Sequence, residues 1–169
     1  MEKNFRKTDE NKRAHKLRCL AGILALVWMC VIFGFSAQTK EESSVVSEGV
    51  SYRLVESTGF LFHLNLDEDQ LREIANSIEN AVRKGAHMTE YAILAILIFV
   101  WIGQWELTVF RKSCIAVLLA ALYACSDEAH QLFVAGRAGR VTDVMIDSAG
   151  ALLGLALFLV LCRAVKRIR

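Results

Sequence analysis

The chain has 169 residues, 54% of them hydrophobic, with a net charge of +2 and no proline. Soluble domains hold about 45–50% apolar residues, so the excess excludes an ordinary soluble enzyme. The near-balanced charge excludes a strongly basic nucleic-acid-binding domain, and we expect no nucleic-acid partner.

In chain order, residues 1–18 form a tail carrying Lys3, Arg6, Lys7, Lys12, Arg13, Lys16 and Arg18. A first apolar run follows, at about 19–35. Its basic start and the "FGFSAQT" that closes it resemble a cleaved signal, but the run is long for one, so an uncleaved anchor is expected. Residues 36–82 are the one sizeable polar segment, with nine acids against Lys40, Arg53 and Arg72. Within it, "NLDEDQLREIANSIENAVRKGAH" places Leu71, Ile74, Ile78 and Val82 at helical spacing. An amphipathic helix is expected there, capped by Asn65 or Asp67 and turning or continuing near Gly85. The preceding "SSVVSEGVSYRLVESTGFLF" shows no clear period. Three further apolar runs lie at about 86–105, 114–133 and 144–162, and residues 163–169 close the chain with Arg163, Lys166, Arg167 and Arg169.

Each run approaches the ~20 residues a helix needs to cross a bilayer, and a lipid-exposed backbone must satisfy its own hydrogen bonds. The expected fold is therefore all-α: a polytopic bundle of four transmembrane helices over 19–162, with an extracytoplasmic amphipathic helix. The basic tails and the Arg111–Lys112 pair lie on one side of such a bundle. The positive-inside rule makes that side cytoplasmic, so both termini are expected inside the cell membrane and residues 36–82 outside. The five cysteines all lie within or beside the apolar runs, so no disulfide framework or metal-type CxxC spacing is present.

The second, third and fourth runs carry their ions at the same end. Arg83, Lys84, His87, Glu90 and Tyr91 open the second; Asp127, Glu128, His130 and Gln131 close the third. Arg137 and Arg140 occupy the connecting turn, and Asp143 and Asp147 open the fourth. At 1.5 Å rise per residue, all lie within roughly 10 Å of the outer interface. Helical spacing puts Arg83, His87 and Glu90 on one face, Tyr123, Asp127, His130 and Gln131 on another, and Asp143, Asp147, Gly150 and Gly154 on a third. An acid in a membrane span is costly, so three polar stripes at one depth imply a shared outward-facing pocket. "GALLG" at 150–154 permits close helix approach.

These residues resemble the VanZ-like family of integral membrane proteins. The likeness rests on "FSAQ" closing the first run, "RKGAHMTEYAIL" opening the second, and "DEAHQLFVAGRAGRVTDVMIDSAGALLG" across the third and fourth. The family pattern carries onto Ser36, Gln38, Arg83, Lys84, His87, Glu90, Tyr91, Asp127, Glu128, His130, Gln131, Gly136, Arg137, Asp143, Gly150 and Gly154. The chain departs from it at Ala135, where the family usually has proline, and at Asp147, often asparagine. The first departure is expected to loosen the turn and the second to add negative charge. The resemblance implies an association with glycopeptide resistance, above all to lipoglycopeptides such as teicoplanin, and supplies no mechanism.

Three readings of the pocket follow from the residues. In the first, it binds an envelope amphiphile, such as a lipid-linked cell-wall precursor or a lipoglycopeptide, with membrane lipids as its surroundings. Arg83, Arg137 and Arg140 would grip phosphate or carboxylate, and the acids and histidines would orient amines or hydroxyls. In the second, it is a membrane-embedded hydrolase or transferase, with His87, Glu90, Asp127, His130 and Asp143 as catalytic candidates. His87-x-x-Glu90 and Asp127-x-x-His130 would then be candidate ligands of a divalent metal such as zinc, manganese or iron. The third is a small transporter, which the featureless inner halves of the spans disfavour. Beside these stands a purely structural reading, in which the arginines neutralise the acids and pin the helices together.

Overall fold

The computed structural model describes residues 2–168, with side chains described over 11–167. The expectations placed on Lys3, Arg6, Lys7 and Arg169 concern side chains outside that range. Five α-helices are present among the described residues: α1 Glu2–Ser36, α2 Lys40–Leu61, α3 Glu68–Trp101, α4 Val109–Gln131 and α5 Val141–Ile168. A single 3₁₀ turn, Ile102–Gln104, follows α3. Among the described residues four segments are long and apolar enough to cross a membrane: Asn11–Ser36, Glu68–Gln104, Val109–Gln131 and Val141–Arg167.

Local chemistry sets the boundaries. Thr39 and Glu42 form a capping box at the start of α2, the Glu42 N–H donating to Thr39 Oγ1 at 3.2 Å and the Thr39 N–H to Glu42 Oε2 at 2.8 Å. Of the two caps expected for the amphipathic helix, Asp67 is the one used. It accepts from the Gln70 N–H at 2.8 Å, and Gln70 Oε1 accepts from the Asp67 N–H at 3.1 Å. Thr108 Oγ1 accepts from the Arg111 N–H at 3.3 Å and starts α4. At the other end of α2, the Leu64 N–H reaches Gly59 O at 2.9 Å and the His63 N–H reaches Phe60 O at 3.3 Å. That is a Schellman closure with His63 at φ 53°.

The amphipathic segment is the first half of α3, which runs through Gly85 without a turn. At 34 residues α3 is about 50 Å long, some 20 Å more than the hydrocarbon core of a bilayer. Its polar first half pairs with α2 in a helical hairpin. Ser47, Ser51, Val55 and Gly59, a small residue every fourth position, are the buried stripe of α2. They face α3, where Ala75 is buried and Glu79 accepts a hydrogen bond from the Ser47 hydroxyl. Arg72 lies 5.7 Å over the Tyr52 ring.

Helix α3 is the hub of the bundle, packing on α5, α2, α1 and α4. Its contact with α5 is closest at the two glycines of the GALLG stretch. A Cβ on Gly150 would collide with the Met88 backbone, and one on Gly154 with Ala92. On α4 the inward ridge is Ala116, Ala120 and Ala124; α3 answers with Tyr91, Leu94, Ala95 and Ile98, and α5 with Ala151 and Leu155. Two side chains of the core tie α1 in: Trp28 Nε1 donates to Glu90 O at 2.9 Å and the Tyr123 hydroxyl to Met29 O at 2.6 Å.

Candidate functional site

Each inward ridge changes character at one level. Above Ala124 on α4 come Asp127, Glu128 and Gln131, all buried; above Ala151 and Gly150 on α5 comes Asp147, also buried. Above Tyr91 on α3 come His87, Lys84 and Arg83, half-buried. The polar residues therefore continue the core face of their helices. They enclose a cavity of about 370 Å3 at the end of the bundle where α1 and α4 stop and α5 begins.

Nine of the residues expected at the site line this cavity: Arg83, Lys84, His87, Glu128, Gln131, Arg137, Arg140, Asp143 and Asp147. Glu90, Tyr91, Asp127 and His130 are not in the lining. Glu90 sits one turn below His87, its carboxyl 3.7 Å from His87 Nδ1. Tyr91 is fully buried in the core, with no partner for its hydroxyl among the described residues. Asp127, 3% exposed, lies beneath Gln131, whose amide donates to its Oδ2 at 3.4 Å and to the Ser36 hydroxyl at 3.0 Å; its Oδ1 has no partner among the described residues. The His130 ring packs on Phe33 of α1, with centroids 4.4 Å apart. Among the described residues no three His, Cys, Asp or Glu side chains converge as metal ligands. His87, Glu90, Asp127 and His130 are not gathered in threes as metal ligands among the described residues, and the His130 ring turns towards Phe33 of α1.

Two of the expected ionic groups hold the framework. Arg137 donates through Nε to Gln38 O at 2.8 Å and through one terminal nitrogen to Phe35 O at 3.3 Å, so it closes the C-terminus of α1. Burial, and secondarily the neighbouring Arg83, push its guanidinium pKa below the ordinary arginine value. Glu128 Oε2 accepts from the Arg140 N–H at 2.9 Å, just ahead of the first residue of α5. Arg83 is paired on its own helix, 3.4 Å from Glu79. In contrast, Lys40, Lys84 and Arg140 have no ion pair among the described residues.

The turn from α4 to α5 is built by its glycines. Gly136 adopts φ 71°, a left-handed conformation that glycine takes without strain. A Cβ there would lie 3.1 Å from Lys40 Cβ, so the α2 start can sit against the turn. A Cβ on Gly139 would lie 2.6 Å from Glu128 O, so this backbone is pressed onto the end of α4. At Ala135 the carbonyl accepts from the Lys40 N–H at 3.4 Å, and the Arg137 N–H returns to Val134 O at 3.2 Å.

Lys40, Ser43 and Asn80 line the cavity although the sequence reading passed over them. The signal was faint. Lys40 is one of only three bases among residues 36–82, and it lies two residues after the FSAQ stretch.

No curated protein and no solved structure matches the chain. The model of the VanZ/LLP1 family does match, over residues 21–163, a stretch that holds the apolar parts of all four spans, the α2–α3 hairpin and every residue lining the cavity. This chain belongs to the VanZ/LLP1 family.

Proposed function

We propose that this multi-pass membrane protein holds the anionic headgroup of an envelope amphiphile in the cavity between α2, α3, α4 and α5. In this reading the termini face the cytoplasm and the cavity opens to the outer leaflet. The observation that carries it is the trio Lys40, Lys84 and Arg140, three cations from three parts of the chain around one cavity, without ion pairs among the described residues. A guanidinium and two ammonium groups at the lipid–water boundary suit a phosphate or carboxylate whose acyl or prenyl tail stays in lipid. Family membership suggests a resistance-associated membrane protein. A lipid-linked cell-wall precursor and a lipoglycopeptide are the two envelope amphiphiles that would connect the cavity to such a role.

The test is titration of the detergent-solubilised full chain with short-chain phosphatidylglycerol, bound lipid being counted by native mass spectrometry. The double variant Lys84→Ala, Arg140→Ala removes two charge-assisted contacts and is expected to raise Kd by about tenfold or more. A neutral monoacylglycerol is expected to show no such dependence. An unchanged Kd for phosphatidylglycerol in the double variant would overturn the reading.

A further inference from the structure

The cavity carries charge of both signs, arranged by depth. Of its cations, Lys40 and Arg140 are exposed at the rim and Lys84 is half-buried, while the half-buried Arg83 and Arg137 are already engaged by Glu79 and by the carbonyls that end α1. Its acids lie further in. Asp143 is half-buried in the first turn of α5, and Asp147, one turn on, is only 2% exposed. One helical turn is about 5.4 Å, so the two carboxyls step down one wall.

These opposite charges do not neutralise one another. Among the described residues the ion pairs are Arg72–Glu68, Arg83–Glu79 and His87–Glu90, none of which joins a rim cation to a cavity acid. Glu128 is committed to the Arg140 backbone. The Asp147 side chain faces the cavity with no hydrogen-bond or ion-pair partner among the described residues, though almost all of its surface is withdrawn from bulk water. A carboxyl so placed is costly unless a donor arrives to meet it.

We infer that the ligand is zwitterionic: a phosphate held by Lys40, Lys84 and Arg140 at the rim, and a primary ammonium reaching inward to Asp147 and Asp143. This rests on the proposed function and names its ligand class. Ionised carboxylates only accept hydrogen bonds, and an ammonium supplies three donors with a compensating charge, whereas a hydroxyl supplies one donor and none of the charge. The cavity volume of about 370 Å3 is many times the ~30 Å3 share of one water, so a whole headgroup fits.

Three short-chain lipids that share a phosphate separate the alternatives: phosphatidylethanolamine with a primary ammonium, phosphatidylcholine with a quaternary one lacking N–H, and phosphatidylglycerol with hydroxyls. Each is titrated into the full-length protein in detergent, with native mass spectrometry as the readout. The wild type is expected to bind phosphatidylethanolamine about tenfold more tightly than either of the others, the scale of one charge-assisted hydrogen bond. Asp147→Asn is expected to abolish the preference for phosphatidylethanolamine over phosphatidylglycerol. Glu56→Gln, on the exposed side of α2, serves as the control. Equal wild-type affinity for phosphatidylethanolamine and phosphatidylglycerol, both still lost in Lys84→Ala, Arg140→Ala, overturns the zwitterion and leaves the anion reading standing. Binding indifferent to headgroup and to the rim cations overturns both.

Discussion

Arg137 shows how a residue of the expected pocket divides between framework and ligand. Two of its nitrogens are spent on carbonyls at the end of α1, and the guanidinium meets the negative end of that helix. Arg137→Ala leaves both carbonyls to find water in a half-buried place and is expected to cost about 1–3 kcal/mol of stability. Arg137→Lys keeps the charge but not the planar two-point geometry, and is expected to fall between wild type and alanine. Thermal unfolding of the purified variants in detergent reads both. Equal stability of alanine and wild type would mean that the contacts to Phe35 and Gln38 do not hold α1. The residue types and depth of this cluster were legible in the sequence because helical spacing and the cost of intramembrane charge point the same way. Which partner each ion takes was not. Helical spacing fixes the face of a residue within its own element, but the carbonyls of Phe35 and Gln38 are about a hundred residues away and their position depends on how α1 ends.

At the scale of elements, α2 is the instructive case. Its buried stripe is Ser47, Ser51, Val55 and Gly59, so the face that packs is small and half of it serine, and the usual apolar period is missing. Packing there comes from close approach, which small residues permit, instead of from large side chains. The first half of α3 was legible because Leu71, Ile74, Ile78 and Val82 carry an apolar period, although Ile74 itself stays exposed. The hairpin between the two helices contains a testable strain. His63 holds φ 53° to close α2, a conformation that costs an L-residue about 1–2 kcal/mol and costs glycine little. His63→Gly also frees the unfolded chain, which takes back part of the gain, so a net stabilisation of about 0.5 kcal/mol is expected. Hydrogen exchange at the C-terminal amides of α2 is then expected to slow by about twofold. Faster exchange would show that the His63 side chain contributes more than its backbone costs.

For the whole molecule the open question is which way the bundle faces, and the charge distribution argues one answer. Four crossings place both termini at one end, together with the turn after α3. That end holds Lys12, Arg13, Lys16, Arg18, Arg111, Lys112, Lys166 and Arg167, and the Lys112 ammonium donates to Gly103 O at 2.9 Å across the turn. Trp101 and Trp105 stand there with ring centroids 6.1 Å apart, the residue type that marks a membrane–water boundary. The hairpin end is acidic by comparison, with Glu41, Glu42, Glu48, Glu56, Asp67, Glu68 and Asp69. By the positive-inside rule the basic end is expected to face the cytoplasm and the cavity to face out. All five cysteines are free, so a chain with Cys19, Cys30, Cys114, Cys125 and Cys162 replaced gives a clean background for labelling. In intact cells Glu56→Cys is expected to react with a membrane-impermeant maleimide, and Lys166→Cys to react only after permeabilisation. The reverse pattern would turn the cavity to the inner leaflet. The rim cations would then compete for cytoplasmic phosphates, and an exported amphiphile could no longer be the ligand, however well its headgroup matched the charges of the wall.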